Sequence, residues 1–574
     1  MIAAVMVLAM AVPAMAAEGA PADTSISVSG LETGDTVNFY QVLKYDETAT
    51  TTGGWVAAEG FTSLTTDEIQ KMLGLGDYAT GKDKADEKGI DAALAAKIAD
   101  LAESTTAKFA DVPAASGTAT AATTAVGSAG LYVAIVKPGT ADYLYNPVFV
   151  AADYTAGGTN TQAAVTALSY EPASLAKKEN VTLTKELTNA DQQAVNVGDD
   201  VDFTITSKVP AYSTAYQDPT YVITDTLESG LVVKTDTTPA VTVAGIELET
   251  TDYSVNVAAD RLSFTVTMTP DGLAKVAATG RAQTITVTYK ATVTSVEDAT
   301  VTEKTNDVTV KFSNNPNDST SYSLLEDTTR TYSFTIDGKL LGYTGSFYET
   351  DELVKVGLNA DGTPLTETKT YHSGTTTTEL SPLEKAVFGL YTDADCTNAY
   401  TNAVFNGTVT SDANGRLKIE GLDEGTYYLK ETSAPAGYIA DNRTFEITIA
   451  ATYTEIAGGT YTNTDGILVK YDAYKVLNGY TVTVNDGTDS TTSTYTITNA
   501  GPVDHKVVDK ATYTEATGEN PDLAGDAVTP ISNTKGQELP STGGMGTTVI
   551  YIVGAILVIG AIVLLVARRR KENE

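Results

Sequence analysis

The sequence is poor in the residues that most often carry chemistry. Its 574 residues include one cysteine, Cys396, and two histidines, His372 and His505. A single cysteine excludes an intrachain disulfide, the usual staple of proteins that work outside the cell. Both histidines stand in Thr-rich or charged stretches without metal-ligand spacing. No G-x-S-x-G elbow, H-E-x-x-H pair or phosphate-binding glycine loop occurs. These absences argue against a conventional enzyme and give no ground for a cofactor or metal. Cys396, in a polar Asp/Thr turn with no histidine near it in sequence, reads as an incidental thiol. Basic residues are scarce too, 37 against 73 acidic, for a net charge of −36. So acidic a surface disfavours nucleic acid and anionic membrane as partners, and favours solubility at high local density.

The two ends supply the long apolar runs. MIAAVMVLAMAVPAMAAEGA ends in small residues, and Ala14-Met15-Ala16 fits a secretory cleavage site, so residues 1–16 read as a signal peptide. No basic stretch precedes it, which points to a start upstream. At the other end Val549 to Ala567 is uncharged and long enough to span a bilayer as a helix. Arg568, Arg569, Arg570 and Lys571 then hold that end in the cytoplasm. Leu539-Pro540-Ser541-Thr542-Gly543, just outside the helix, resembles the sorting signal read by sortases of Gram-positive bacteria. The resemblance implies cleavage between Thr542 and Gly543, transfer of the Thr carbonyl to an amine, and a helix that holds the chain in the membrane only transiently.

Between the ends, Thr and Val recur in short alternating runs broken by Gly, Asp and Asn, the pattern of β-sandwiches. Residues 17–171 mix strands such as TVNFYQVLKY with a helical stretch, DAALAAKIADLAE, and read as α+β. Residues 172–318 are nearly all strand. Residues 319–538 are strand-rich but longer than a compact sandwich needs between Ile439 and Ile531, so an insertion or extra hairpins is expected there. Residues 539–574 hold the sorting segment, helix and basic tail. The expected fold is mainly β: tandem immunoglobulin-like sandwiches after an α+β N-terminal domain, with a C-terminal transmembrane helix.

Strand side chains alternate faces, so parity tells which residues point inward. In VTLTKEL, Lys185 shares a face with Val181, Leu183 and Leu187; in YVITDTL, Asp225 shares one with Tyr221, Ile223 and Leu227; in NDVTVKF, Asn306 shares one with Val308, Val310 and Phe312. Parity alone leaves open whether these are strand-end residues reaching solvent, a plain buried ion pair, or mutual partners. An unpaired buried charge costs several kcal/mol. Lysine on a first strand, Asp mid-domain and Asn on a last strand resemble the intramolecular isopeptide sites of collagen-binding-protein-like pilin domains. That resemblance implies a neutral Lys185 amine attacking the Asn306 carboxamide, with protonated Asp225 stabilising the oxyanion.

The strings PLEKAVFGLYTDADC and TVTSDANGRLKIEGLDEGTYYLKETSAPAGY resemble the other type of pilin sandwich. The resemblance makes Glu431 the catalytic acid. Asn533 in PISNTKG is the preferred acceptor, with Asn499 in TYTITNAG as rival. Lys355 in DELVKVG is preferred to Lys339 in FTIDGKL, although it lies unusually far before the PLEKAVFGLY strand.

The whole resembles a sortase-assembled Gram-positive backbone pilin. That implies a shaft subunit joined through Thr542 to a lysine near the end of the N-terminal domain, where SYEPASLAKKEN offers Lys177 and Lys178 without choosing between them. The implied partners are pilus-specific and housekeeping sortases, identical subunits, peptidoglycan, accessory pilins and host surface ligands. A monomeric wall-anchored adhesin or accessory pilin is the alternative; it needs no acceptor lysine.

Overall fold

A computed structural model describes residues 25–571 except 79–88, 115–119, 153–167, 297–300, 317–319, 339–342, 349–352, 371–375, 499–511, 516–528, 537–545 and several single or paired positions. The signal segment, His372, His505, Lys339, Asn499 and Leu539 to Gly543 lie outside the described residues. The chain divides into two compact units. One comprises 1–333 with 452–478 and 497–513; the other comprises 334–451, 479–496 and 514–574.

The first unit begins with the α+β region. Strand Gly130–Lys137 is buried on both faces, which explains its unbroken apolar run, GLYVAIV. It pairs with Thr36–Tyr45 and Val148–Ala152 in a five-stranded sheet. One face of this sheet, through Tyr40, Leu131 and Val133, packs against Ile69, Met72, Ile98 and Ala99 of helices Thr66–Leu73 and Ala92–Ser104. The other, through Val37, Phe39 and Tyr132, packs against Ile26 and Val28 of a three-stranded sheet. Helix Thr66–Leu73 starts at a capping box between Thr65 and Glu68. The stretch that leads toward the second region is itself strand. Ala173–Leu175 lies parallel to Ser25–Ser29, and Lys178–Asn180 pairs antiparallel with Tyr143–Tyr145.

The second region is a sandwich. One sheet runs Leu183–Leu187, Asp200–Val209, Gln283–Val293, Leu231–Val233; the other includes Ser263–Met268, Tyr221–Leu227 and Val301–Ser313. Alternation is strict in Asp200–Val209, whose odd residues from Val201 to Val209 are all buried. Segment 452–478 is part of this unit, and strand Leu468–Tyr471 lies parallel to Leu324, Leu325 and Glu326.

In the second unit Val387–Tyr391 pairs with Gly425–Ser433, which pairs with Thr444–Ile456. Leu353–Leu358 and Thr529–Thr534, far apart in sequence, form a parallel pair. A helix, Gly546–Lys571, forms over the C-terminal apolar run. Among the described residues no helix is long and apolar enough to cross a membrane, so a spanning role for this segment rests on its sequence.

Sequence reading missed one buried ion pair. Arg330 Nη1 bonds Glu303, each side chain is 1% exposed, and the guanidinium lies 5.5 Å from the Tyr474 ring. Removing one member strands the other charge in the core, at roughly 3–5 kcal/mol. Arg330→Met should lose about that much in urea unfolding, while Arg330→Met/Glu303→Leu should lose clearly less than the two single variants combined.

Candidate functional site

The first sandwich gathers Lys185, Asp225 and Asn306. Lys185 comes from the edge strand of one sheet; Asp225 and Asn306 come from adjacent strands of the other, with Leu227 opposite Asn306 in the register. All three are at least 96% buried. The Lys185 amine bonds Asp225 Oδ2 and donates to Asn306 Oδ1 at 2.6 Å. Tyr289 closes the ring. Its hydroxyl donates to Asp225 Oδ1 at 2.9 Å and accepts from Asn306 Nδ2 at 2.7 Å. The Tyr289 ring stacks on Phe203 at 5.1 Å and meets the edge of Phe264 at 4.8 Å. Burial pushes the Lys185 amine below its ordinary range and the Asp225 carboxyl above its own, against their mutual attraction. Both therefore shift toward the neutral forms that nucleophilic attack requires. Asp327, which accepts from the Lys185 backbone N–H, is pushed up to about 7 by the same burial.

The second site lies on the parallel pair. Lys355 stands opposite Ile531, two residues from Asn533, and Glu431 comes from Gly425–Ser433. Lys355, Asn533 and Glu431 are 0%, 1% and 6% exposed. Asn533 Nδ2 donates to Glu431 Oε2 at 2.7 Å and to the Ile439 carbonyl at 2.8 Å. Lys355 Nζ lies 3.6 Å from Glu431 Oε1 and 5.4 Å from the Phe388 ring centroid. Among the described residues Lys355 Nζ, Glu431 Oε1 and Asn533 Oδ1 have no hydrogen-bond partner. Burying three such polar atoms together is costly, and the 3.6 Å approach of the Lys355 amine to Glu431 offsets that only in part. Gly415 fixes the lysine strand: its carbonyl accepts from the Lys355 N–H at 2.7 Å, and a Cβ there would collide with the Lys355 carbonyl. Its φ of +75° is also one that glycine adopts freely.

Lys177 and Lys178 point differently. The Lys178 amine pairs with Glu32 and lies 4.9 Å over the Tyr143 ring. Lys177 is exposed, its carbonyl accepts from the Asn146 N–H at 3.1 Å, and its amine has no ion pair among the described residues. Cys396 occupies a turn at φ 53°, half-buried. No cluster of three or more His, Cys, Asp or Glu among the described residues is arranged to hold a metal. Sequence reading missed Tyr289, although its parity with Ile285, Val287 and Ala291 placed it on the core face.

Three stretches match known families. Residues 197–316 match the Gram-positive pilin backbone subunit 2, Cna-B-like domain; 367–462 match SpaA, a prealbumin-like fold domain; 531–574 match the LPXTG cell wall anchor motif. The trypsin-resistant surface T6 protein of Streptococcus pyogenes serotype M6 is 25% identical over 482 residues, 77% of this chain and 79% of that protein. Among solved structures, the T6 backbone pilin of serotype M6 Streptococcus pyogenes, of modular three-domain structure, is 19% identical, with 89% of this chain and 98% of that one covered at a TM-score of 0.51. The full-length major pilin SpaD of Corynebacterium diphtheriae is 16% identical, with 90% and 98% covered at 0.43. The chain thus carries a Gram-positive pilin backbone domain and a wall anchor, and it is a secreted, cell-wall-anchored surface protein.

Exclusion of water pushes the Lys355 amine down to about 8, with Glu431 opposing. The unfolded chain holds that proton to about 10.4. Between these values the unfolded state binds more protons, so this group makes stability rise with pH across that window and leaves it flat below about 8. Asn533→Ala, which keeps Lys355 free, should gain stability from pH 8 to 10 relative to Asn533→Ala/Lys355→Met in urea unfolding. A constant difference would mean that Lys355 titrates normally.

Proposed function

We propose that this wall-anchored chain is the major shaft subunit of a sortase-polymerised pilus, hardened by two autocatalytic Lys–Asn isopeptide bonds. The observation that carries it is that each of the two units buries a lysine and an asparagine around a buried carboxyl. In the first sandwich the neutral Lys185 amine attacks Asn306 Cγ, the Oδ1 takes up charge, and ammonia leaves. In the second, Lys355 joins Asn533, with Glu431 bonded to the leaving nitrogen. Each reaction occurs once per molecule, so it is maturation and not turnover.

Lys185 and Asn306 are 121 residues apart. By analogy with disulfides, closing such a loop restricts the unfolded chain by roughly 4–5 kcal/mol. The proposed bond also joins the two sheets of the sandwich, so tension would not unzip them.

Polymerisation requires an amine on the neighbouring subunit. Lys177, exposed and without an ion pair among the described residues, suits a sortase better than Lys178, whose amine is engaged by Glu32 and Tyr143. A pilus-specific sortase would join Thr542 to Lys177, a housekeeping sortase would pass the last subunit to peptidoglycan, and accessory pilins would join the same polymer. Before cleavage, the C-terminal helix would hold the chain in the membrane.

The recombinant fragment Ala17 to Glu538 should be lighter than its sequence mass by two ammonias, about 17 Da each. Lys185→Ala and Asn306→Ala should each restore one ammonia and reduce heat and protease resistance; a parent at full mass would end the cross-linking mechanism. In the native host, Lys177→Ala should abolish high-molecular-weight ladders in wall extracts and leave monomer on the wall, while Lys178→Ala should retain ladders. Ladders in a Lys177→Ala/Lys178→Ala strain would place the acceptor elsewhere.

A further inference from the structure

The two sites treat their leaving nitrogens differently. In the second, Glu431 Oε2 itself accepts from Asn533 Nδ2. In the first, Asp225 spends Oδ2 on the lysine and Oδ1 on Tyr289, and the hydrogen-bond partner of Asn306 Nδ2 is the Tyr289 hydroxyl. Aspartate is one methylene shorter than glutamate, and the phenol bridges the distance Asp225 does not cover.

We propose that Tyr289 is a catalytic residue of the first site, relaying a proton from Asp225 to the carboxamide nitrogen of Asn306 so that it leaves as ammonia. This rests on the Lys185–Asn306 bond proposed above. Lys185 first passes its extra proton to Asp225. The neutral Nζ then forms a bond to Asn306 Cγ, and the carbonyl π pair moves to Oδ1. For the Cγ–Nδ2 bond to break, Nδ2 must gain a proton and Nζ must lose one. Tyr289 gives its O–H proton to Nδ2 and takes another from Asp225, whose carboxyl has turned to present its protonated oxygen to the phenol, while the bare oxygen of Asp225 accepts the proton from Nζ. The Oδ1 pair re-forms the carbonyl, and the electrons of the Cγ–Nδ2 bond depart with ammonia. Tyr289 ends neutral and Asp225 ends protonated, as before the attack, with no other reactant consumed.

Packing favours a clean test. The Tyr289 ring is held by Phe203 and Phe264, contacts that phenylalanine would keep while losing the hydroxyl. In fragment Ala17 to Glu538, the Lys185–Asn306 linked peptide is quantified by tandem mass spectrometry over days at 37 °C. Tyr289→Phe should form it at least about a hundredfold more slowly than the parent, the scale of a lost general acid. The Lys355–Asn533 link in the same molecules should be unaffected, and trypsin resistance should match that of unlinked Lys185→Ala. Tyr289→Phe/Asp225→Glu, whose longer carboxyl reaches Nδ2 directly, should regain the link. Should Tyr289→Phe be less resistant than Lys185→Ala, the double variant decides: a regained link upholds the relay, and an absent one overturns it. A Tyr289→Phe protein linked as fast as the parent overturns the relay and leaves the bond standing. A parent without the link overturns both.

Discussion

Both candidate sites depend on keeping water from a lysine amine. A lysine ammonium taken into an apolar core loses hydration worth several kcal/mol, and a carboxylate beside it repays that only in part. The Lys185 amine lies 5.5 Å from the Phe203 ring centroid and 5.7 Å from that of Tyr289, and Lys355 lies near Phe388, so each amine has aromatic surface beside it as well as its carboxyl. For Lys185 and Asp225 the shift toward neutral amine and neutral acid follows from this exclusion, and it is the condition that the proposed attack on the amide requires. A surface Lys–Asp contact would be hydrated, charged and inert toward an amide.

The two sites meet that constraint at different cost. In the first, the amine, carboxyl, phenol and carboxamide form a closed ring of hydrogen bonds. In the second, the amine, one carboxylate oxygen and the carboxamide oxygen have no hydrogen-bond partner among the described residues. Lys355 is nevertheless fixed through its backbone, by the Gly415 carbonyl accepting from its N–H at 2.7 Å and by the Leu383 N–H donating to its carbonyl at 2.9 Å. Main-chain pairing there does the positioning that side-chain hydrogen bonds do in the first site.

Legibility in the sequence followed solvent exposure. Strands with one wet face declared their orientation, and parity put Lys185, Asp225 and Asn306 inward, where the structure brings them together. Strands covered on both faces gave no such signal. Val301, Thr302, Glu303 and Lys304 are buried in succession, and Ser323 to Ile336 is largely buried too, so parity could not single out Glu303 and Arg330. Tyr289 was legible as a core aromatic but not as a hydrogen-bonding group, because alternation reports a face and not where a hydroxyl points. The excess length after Ile439 was legible; its assignment to the first unit was not, since the parallel pairing of Leu468–Tyr471 with Leu324 to Glu326 joins distant stretches that no local pattern links. The pairing of Leu353–Leu358 with Thr529–Thr534 was hidden for the same reason.

The positions of the proposed bonds have a mechanical consequence. Force entering at Lys177 would pass along a short stretch to Lys185 and cross to Asn306. It would follow the chain to Lys355, cross to Asn533 and leave at Thr542 nearby in sequence. Between Lys185 and Asn306, and again between Lys355 and Asn533, the chain would form covalent loops outside that path. Hydrogen-bonded sheets fail one rung at a time when their end strands are pulled apart, whereas an amide does not yield at those forces. The sheets would then hold the reacting groups together long enough to react and carry little of the load afterwards. A chain with one cysteine has no intrachain disulfide with which to make such a path, and the proposed lysine–asparagine bonds would be a covalent alternative that needs no oxidant.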